Sequence, residues 1–123
     1  MNDMTQGDDT ILLREDDAGV TILTLNAPRS INALSEKMLA ALSSAFDDIA
    51  ADTTVKAVIL RTAGNHFCAG HNLKERTEHR ADPDGGFQYF QDLFATCSAM
   101  MLRIKRLPQP VIAEVKGIAT AAG

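Results

Sequence analysis

The strongest constraint on the fold is Val55–Thr62, a segment rich in β-branched residues that ends in a loop framed by two glycines. Most of this segment is apolar, which is typical of a strand covered on both faces in a parallel sheet. Gly64 and Gly70 then bracket an apolar plug, Phe67–Ala69. Glycine permits backbone angles and close approaches that other residues resist. The loop at residues 63–75 can therefore bring bare backbone N–H groups against a ligand.

The remaining patterns predict an α/β chain in the order β-β-α-β-α-β, a layer structure with right-handed crossovers. Strands are predicted at residues 10–15, 20–25, 55–62 and 111–115, the first two joined as a hairpin. Helices are predicted at residues 36–51, after the N-cap Ser35, and at residues 87–107, with a short helical turn near residues 72–80. Residues 117–123 resemble a strand-to-helix turn followed by the first residues of a new helix.

Apolar residues within these elements predict which faces are buried. The second strand should bury a face containing Val20, Ile22 and Leu23. The first helix has an apolar stripe at helical spacing: Met38, Leu42, Ala45, Phe46 and Ile49. The long helix has a second such stripe: Phe87, Phe90, Phe94, Cys97, Met101 and Ile104.

Composition narrows the classes of protein that fit. The chain has 123 residues, one ordinary domain's worth, and a net charge of −4, which disfavours nucleic acid or an anionic membrane as a partner. No apolar run approaches the roughly 18 residues of a membrane span. Residues 1–9 are acidic and polar, unlike a signal or transit peptide, and are predicted to be a disordered tail. Two distant cysteines predict free thiols and a cytoplasmic location. Three histidines without ligand spacing predict no metal site.

Neither glycine-rich turn matches a nucleotide-binding pattern, and no nucleophile constellation is present. Cys68 is predicted to be a packed, inert thiol, and the side chains of His66 and His71 to be exposed or hydrogen-bonded. What remains is a pair of glycine-delimited turns, one after each of the last two strands. Backbone N–H groups from two such turns can converge on one anionic oxygen.

Three stretches together resemble the enoyl-CoA hydratase/isomerase (crotonase) superfamily. They are Asn26-Ala27-Pro28 with Asn32-Ala33-Leu34, then Phe67-Cys68-Ala69-Gly70-His71-Asn72-Leu73-Lys74-Glu75, then Pro110-Val111-Ile112-Ala113 through residues 117–123. The resemblance covers residues 10–123. The chain is especially similar to the subgroup called enoyl-CoA hydratase domain-containing protein 3.

This resemblance implies a spiral of ββα units, with residues 10–123 as the N-terminal part of a crotonase-fold domain. It implies an acyl-CoA thioester as substrate and no further cofactor. The enolate of the thioester would be held by the backbone N–H groups of His71 and Ala122. Asn72 stands where aspartate is usual, and Ala122 where glycine is common.

The resemblance also implies the residues that contact the substrate. Arg29 would be available to a CoA phosphate and Ile31 would lie near the pantetheine. The expected substrate rim is completed by four residues: Ala69, Asn72, Leu73 and Lys74. Family members commonly form trimers and hexamers.

In hydratases of this family two glutamates activate water and deliver the proton, and both would lie beyond Gly123. The 123-residue chain alone is therefore expected to be a truncated N-terminal half that leaves crotonyl-CoA unhydrated. The alternative is a non-catalytic remnant with weak or no CoA affinity. Reading the coding DNA past Gly123 for a carboxylate two residues on would separate these two hypotheses. In such a truncated chain the apolar faces of the long helix and the last strand would lack partners. The exposed apolar surface would favour self-association.

Overall fold

The computed structural model describes residues 10–123, so the tail predicted for residues 1–9 lies outside the described residues. The described residues contain four strands: β1 (Leu12–Asp17), β2 (Val20–Leu25), β3 (Ala57–Thr62) and β4 (Val111–Ala113). The same part of the chain contains three α-helices: α1 (Glu36–Ala50), α2 (Leu73–His79) and α3 (Phe87–Arg106). A single 3₁₀ turn, Pro28–Ser30, lies between β2 and α1. The predicted order is confirmed, with the short helix α2 as a separate element.

The strands form one mixed sheet in the order β1-β2-β3-β4. The predicted hairpin is confirmed, because β1 and β2 pair antiparallel around Ala18 and Gly19. Both turn residues have positive φ, 51° and 87°, which matches the right-handed twist of the strands. β2 pairs parallel with β3, and β3 pairs parallel with β4, so α1 and α3 lie on crossover connections. The β1-β2-α1 segment is the ββα unit that the resemblance implies.

The buried face of β2 differs from the prediction. Val20 and Ile22 are only partly buried, because the alternation places the other residues against the core. The buried residues of β2 are Thr21, Leu23 and Leu25. The Thr21 hydroxyl is fully buried, and it donates a hydrogen bond to the Asp16 carboxylate across the hairpin. This bond lets a polar side chain occupy a core position.

The first helix packs as predicted. The Ser35 side chain caps it by accepting a hydrogen bond from the Met38 N–H at 3.1 Å. Its core residues are fully or nearly fully buried: Met38, Leu39, Leu42, Phe46 and Ile49. Ala45 of the predicted stripe is half-buried.

The predicted buried face of α3 is partly confirmed, because Cys97 is buried and Phe90 and Ile104 pack against the core, but the rest of the stripe is exposed. The residues that enter the core are Leu93, Cys97 and Met100, and Phe87 is 70% exposed. Phe94 and Met101 are also exposed. Two neighbouring apolar stripes run along this helix, and periodicity gives the spacing of a stripe without showing which one meets α1. The contact with α1 selects the stripe that contains Leu93.

Apolar side chains remain exposed on α3 and around β4, as expected. They are Phe94, Met101, Leu102, Ile112, Val115 and Ile118. The predicted cover on both faces of β3 is incomplete, since Ile59 and Leu60 are half-buried. Among residues 10–123, no helix combines the length and apolarity that a membrane crossing needs.

The predicted helix start within residues 117–123 is also wrong. These residues form an isolated bridge to the Gly64–Gly70 loop and then a turn, which is closed by a hydrogen bond from the Gly123 N–H to the Thr120 carbonyl at 2.8 Å. The carbonyls of the first turn of an α-helix accept hydrogen bonds from N–H groups four residues further on, whereas the Thr120 carbonyl accepts from Gly123, three residues on.

Candidate active site

Asn32 holds together the two loops that build the site. Its side chain is fully buried, and Oδ1 accepts a hydrogen bond from the Ala27 N–H at 2.9 Å. Nδ2 donates to three carbonyls of the loop after β3, those of Ala63, His66 and Phe67, at 3.0, 3.2 and 3.1 Å. One amide therefore shapes the loop before α1 and fastens it to the loop after β3.

The backbone adds a second connection between these loops. Ile31 and Asn32 both have left-handed φ, 53° and 50°, which asparagine tolerates better than most residues. The Ile31 carbonyl accepts a hydrogen bond from the Ala69 N–H at 2.9 Å. The Leu34 N–H donates to the Gly70 carbonyl at 2.7 Å. The chain just before His71 is thus fixed against the loop that leads into α1.

On its other side the loop pairs with residues 117–123. Cys68 and Ala119 form a parallel bridge. The N–H groups of Phe67 and Cys68 both donate to the Ile118 carbonyl, at 2.9 and 3.0 Å. The Thr120 N–H donates back to the Cys68 carbonyl at 3.1 Å. This pairing brings the segment that contains Ala122 against the segment that contains His71.

The two segments meet at Gly70, which has a φ of 92°. A β-carbon added there would lie 2.9 Å from the Ala121 β-carbon and 3.2 Å from the Ala122 nitrogen. Only glycine allows this approach. No backbone hydrogen bond found within residues 10–123 uses the N–H of His71 or Ala122 as its donor. Both amides thus keep a free donor where the two segments touch.

The surroundings of the His71 side chain favour its neutral form. Its ring packs edge-on against Phe94, with ring centroids 5.8 Å apart. Burial lowers the pKa of His71, and the neighbouring Arg76 lowers it further, while the Leu34 backbone acts in the opposite direction. A neutral ring at neutral pH follows, so the backbone amide is the donor with the clearer chemical role.

Cys68 is a structural thiol. It is 1% exposed, its Sγ donates to the Asn32 carbonyl at 3.1 Å, and the Gly70 N–H donates to Sγ at 3.4 Å. Burial raises its pKa, which keeps the weakly nucleophilic thiol form. These contacts agree with the interpretation of Cys68 as packed and inert.

The predicted substrate-contacting residues divide into two groups. Ile31 and Ala69 are half-buried and joined by the backbone hydrogen bond described above. Arg29, Leu73 and Lys74 are exposed. Asn72 caps α2, because its Oδ1 accepts a hydrogen bond from the Glu75 N–H at 3.0 Å. A neutral amide therefore provides the cap of α2.

A small apolar cavity lies beside the Ala122 amide. Its volume is about 90 Å³, and its lining includes Leu25, Leu34, Phe67, Met101 and Ala122. A larger cavity of about 440 Å³, lined by Phe46, Asp47 and Arg103 among others, lies between α1 and α3 and has neither amide in its lining. The small cavity has Ala122 in its lining, and His71 lines neither of the two cavities. Among residues 10–123, no three histidine, cysteine, aspartate or glutamate side chains cluster closely enough to hold a metal ion.

The short helix after Asn72 is anchored at its far end by His79. The ring Nδ1 lies 2.8 Å from the Asp82 carboxylate, and the ring stacks on Tyr89 with centroids 3.7 Å apart. The hydrogen bond to Asp82 raises the pKa of His79 above its ordinary value of 6.5. Stabilisation from this contact is therefore full below pH 6.5 and is lost as the pH rises through the folded-state pKa.

We expect Asp82→Asn to lower the free energy of unfolding more at about pH 5.5 than at about pH 8.5. The protonated ring loses its charged partner in this variant, whereas the neutral ring loses only a hydrogen bond. The pKa of His71 is shifted in the opposite direction, so its contribution to stability changes with pH in the opposite sense. His71 is present in both wild type and Asp82→Asn, so its contribution cancels in the difference between their free energies of unfolding. Denaturant titrations at the two pH values measure the effect. An equal loss at both would contradict this role of the Asp82 carboxylate.

Sequence reasoning missed the role of Asn32. The sequence did contain a signal for its backbone conformation. Asn32 lies in a loop, just before the apolar pair Ala33-Leu34, and asparagine is tolerated in the left-handed conformation. Its three carbonyl partners lie 31 to 35 residues away along the chain. Such contacts leave no local periodicity for a sequence pattern to show.

Known proteins resemble this chain over most of its length. The family model described as enoyl-CoA hydratase/isomerase matches residues 15–123. A mitochondrial enoyl-CoA hydratase domain-containing protein 3 from Xenopus laevis is 40% identical over 114 residues, which are 93% of this chain and 36% of that protein. The finer resemblance to this subgroup is thereby confirmed.

Two crystal structures share the fold. An enoyl-CoA hydratase from Mycobacterium smegmatis matches with a TM-score of 0.83 and 55% identity, over 92% of this chain and 42% of that one. Human enoyl-CoA hydratase domain-containing protein 3 matches with a TM-score of 0.79 and 34% identity, over 90% and 42% of the two chains. The chain thus spans well under half the length of the relatives it matches.

The cytoplasmic location expected from the sequence is contradicted by these comparisons. The Xenopus laevis relative is named as a mitochondrial protein. Free thiols indicate a reducing compartment without distinguishing one from another, so the cysteine argument could not identify the organelle.

The family model and the fold lead to one conclusion. The chain belongs to the enoyl-CoA hydratase/isomerase family, and residues 10–123 form the N-terminal part of a crotonase fold.

Proposed function

We propose that this chain binds an acyl-CoA thioester and that the N–H groups of His71 and Ala122 hold the oxygen of its enolate. The proposal rests chiefly on the contact at Gly70, where the glycine backbone lies against the Ala122 amide. His71 follows Gly70 directly, so its N–H and that of Ala122 belong to touching segments. Both donors lack a backbone acceptor within residues 10–123, which suits a site that awaits an anionic oxygen.

The chemistry needs donors that are fixed before the substrate arrives. When a proton leaves the carbon next to the thioester carbonyl, the electron pair moves onto the carbonyl oxygen. Two preorganised N–H groups stabilise that charge without rearranging, and loss of one such donor typically costs about 10²- to 10³-fold in rate. The pairing of the His71 and Ala122 segments through Cys68 and Ile118 supplies this rigidity.

The rest of the substrate can be assigned by chemistry. The apolar cavity beside Ala122 suits the first carbons of an acyl chain. Exposed Arg29 and Lys74 carry positive charge suited to CoA phosphates. Ile31, Ala69 and Leu73 offer apolar contact to the pantetheine, and Asn72 supports this rim by capping α2.

Acetoacetyl-CoA tests the proposal, because this β-ketothioester forms an enolate readily. We expect the chain to bind acetoacetyl-CoA about tenfold or more tightly than free CoA, since only the thioester presents an oxygen to the two donors. Isothermal titration of both ligands measures the ratio. The ultraviolet absorbance of the enolate should rise in the complex. Equal affinity for the two ligands, or no binding, would favour the alternative of a non-catalytic remnant.

A further inference from the structure

The ring of His66 reaches across to the segment that contains Ala122. Its Nδ1 accepts a hydrogen bond from the Ile118 N–H at 2.9 Å. A ring nitrogen that accepts carries no proton, so the hydrogen of this tautomer is on Nε2. The His66 side chain is therefore engaged as an acceptor for the backbone.

Both polar groups of Ile118 are held by the loop after β3. Its carbonyl accepts from the N–H groups of Phe67 and Cys68, as described above, and its N–H is bound by the His66 ring. Of the groups that bind Ile118, the His66 ring is the side chain, and the others are backbone N–H groups. Without the ring, the Ile118 N–H would have no acceptor among the contacts found in residues 10–123.

The fit around the ring is close. Gly117 has a φ of 59°, and a β-carbon there would overlap the His66 ring and the Asn65 carbonyl. The His66 carbonyl is itself fixed, because it accepts from the Thr62 hydroxyl at 3.1 Å and from the Asn32 amide at 3.2 Å. The ring is thus held on a rigid support and directed at one backbone N–H.

We infer that His66 is a positioning residue for the Ala122 donor, an inference that rests on the proposed function. Ile118 precedes Ala122 by four residues, and the intervening chain is tied down at Thr120, whose N–H bonds to Cys68. The turn that presents the Ala122 amide is closed by the Gly123 N–H on the Thr120 carbonyl. The His66 ring fixes the start of this segment, so it sets where the turn places its free N–H.

Three substitutions separate this role from general stability. His66→Asn places an amide oxygen near the position of Nδ1 and keeps an acceptor for Ile118. His66→Gln has the same polarity but is one methylene longer, so its oxygen does not match that position. His66→Leu fills the space and removes the acceptor. If His66→Gln or His66→Leu fails to fold, the comparison of His66→Asn with the other variant still decides the question. If His66→Asn fails to fold, wild type takes its place as the protein that keeps the acceptor.

Amide hydrogen exchange at Ile118, Thr120 and Gly123 reports on the segment directly. We expect exchange on the order of fivefold to tenfold faster in His66→Leu and His66→Gln, from the loss of one hydrogen bond, and near wild-type rates in His66→Asn. The buried amide of Val58 in β3, which donates to the Pro110 carbonyl at 2.9 Å, serves as the control and should exchange equally in all variants. Equal rates at Ile118, Thr120 and Gly123 in the Asn and Gln variants would overturn the inference.

Binding of acetoacetyl-CoA provides the second readout. We expect His66→Asn to retain wild-type affinity and His66→Leu to lose about tenfold, while both bind free CoA equally. Equal affinity of the two variants for acetoacetyl-CoA would overturn the inference. If wild type itself does not bind acetoacetyl-CoA, the proposed function fails, and the exchange rates alone then decide whether His66 positions the segment.

Discussion

Replacing Asn32 by alanine is expected to lower the free energy of unfolding by about 3 to 5 kcal/mol. The change removes four hydrogen bonds and leaves the Ala27 N–H and the Ala63 and Phe67 carbonyls without their partner, while the His66 carbonyl keeps the Thr62 hydroxyl. Each buried polar group left unsatisfied costs about 1 to 3 kcal/mol, part of which water entering the gap would recover. The left-handed φ of 50° adds strain for alanine. Denaturant unfolding followed by circular dichroism measures the loss.

Asn26→Ala is the matched control. This asparagine lies at the start of the same loop, and within residues 10–123 its side chain makes one hydrogen bond, from Nδ2 to the Thr10 carbonyl at 2.9 Å. It should cost about 1 kcal/mol. If Asn32→Ala and Asn26→Ala destabilise the protein equally, Asn32 does not hold the two loops together as described.

Gly70→Ala is expected to weaken acetoacetyl-CoA binding by about a hundredfold, the loss that one missing oxyanion donor causes. The new methyl group would meet the Ala121 β-carbon and the Ala122 nitrogen and would push the two segments apart. The φ of 92° adds backbone strain, which lowers stability as well. Titration calorimetry with acetoacetyl-CoA, carried out where the variant is fully folded, measures the loss of affinity.

Gly85→Ala separates the collision from the strain. Gly85 also has positive φ, 71°, but a β-carbon there meets nothing within 4 Å. The control should lose stability through strain alone and keep its affinity for acetoacetyl-CoA. If Gly70→Ala binds acetoacetyl-CoA as Gly85→Ala does, the close contact at Gly70 does not set the geometry of the donors.

Local sequence rules predicted the elements that position the site. The hairpin follows from a turn ending in Gly19, the start of α1 from the cap at Ser35, and the loop after β3 from its two glycines. Each of these depends on a few adjacent residues, so a single sequence suffices to predict it. The choice of His71 and Ala122 came from the family resemblance, and the pairing of their segments is compatible with it.

Other features depend on contacts between distant parts of the chain. The buried face of α3 is selected by α1, since two apolar stripes were available. The fully buried Thr21 is tolerated because Asp16 faces it across the hairpin. Asn32 and His66 act through partners more than 30 residues away. Spacing along the sequence does not encode such pairings, and polar residues that serve them resemble ordinary loop residues.

Nuclear magnetic resonance of the backbone amides tests the central claim most directly. When acetoacetyl-CoA is added to the labelled chain, the N–H signals of His71 and Ala122 should both move downfield, because each then donates to an anionic oxygen. Free CoA should leave these two signals in place, and the core amide of Val58 should not respond to either ligand. Binding of acetoacetyl-CoA without a shift at His71 and Ala122 would show that these amides do not hold the thioester oxygen.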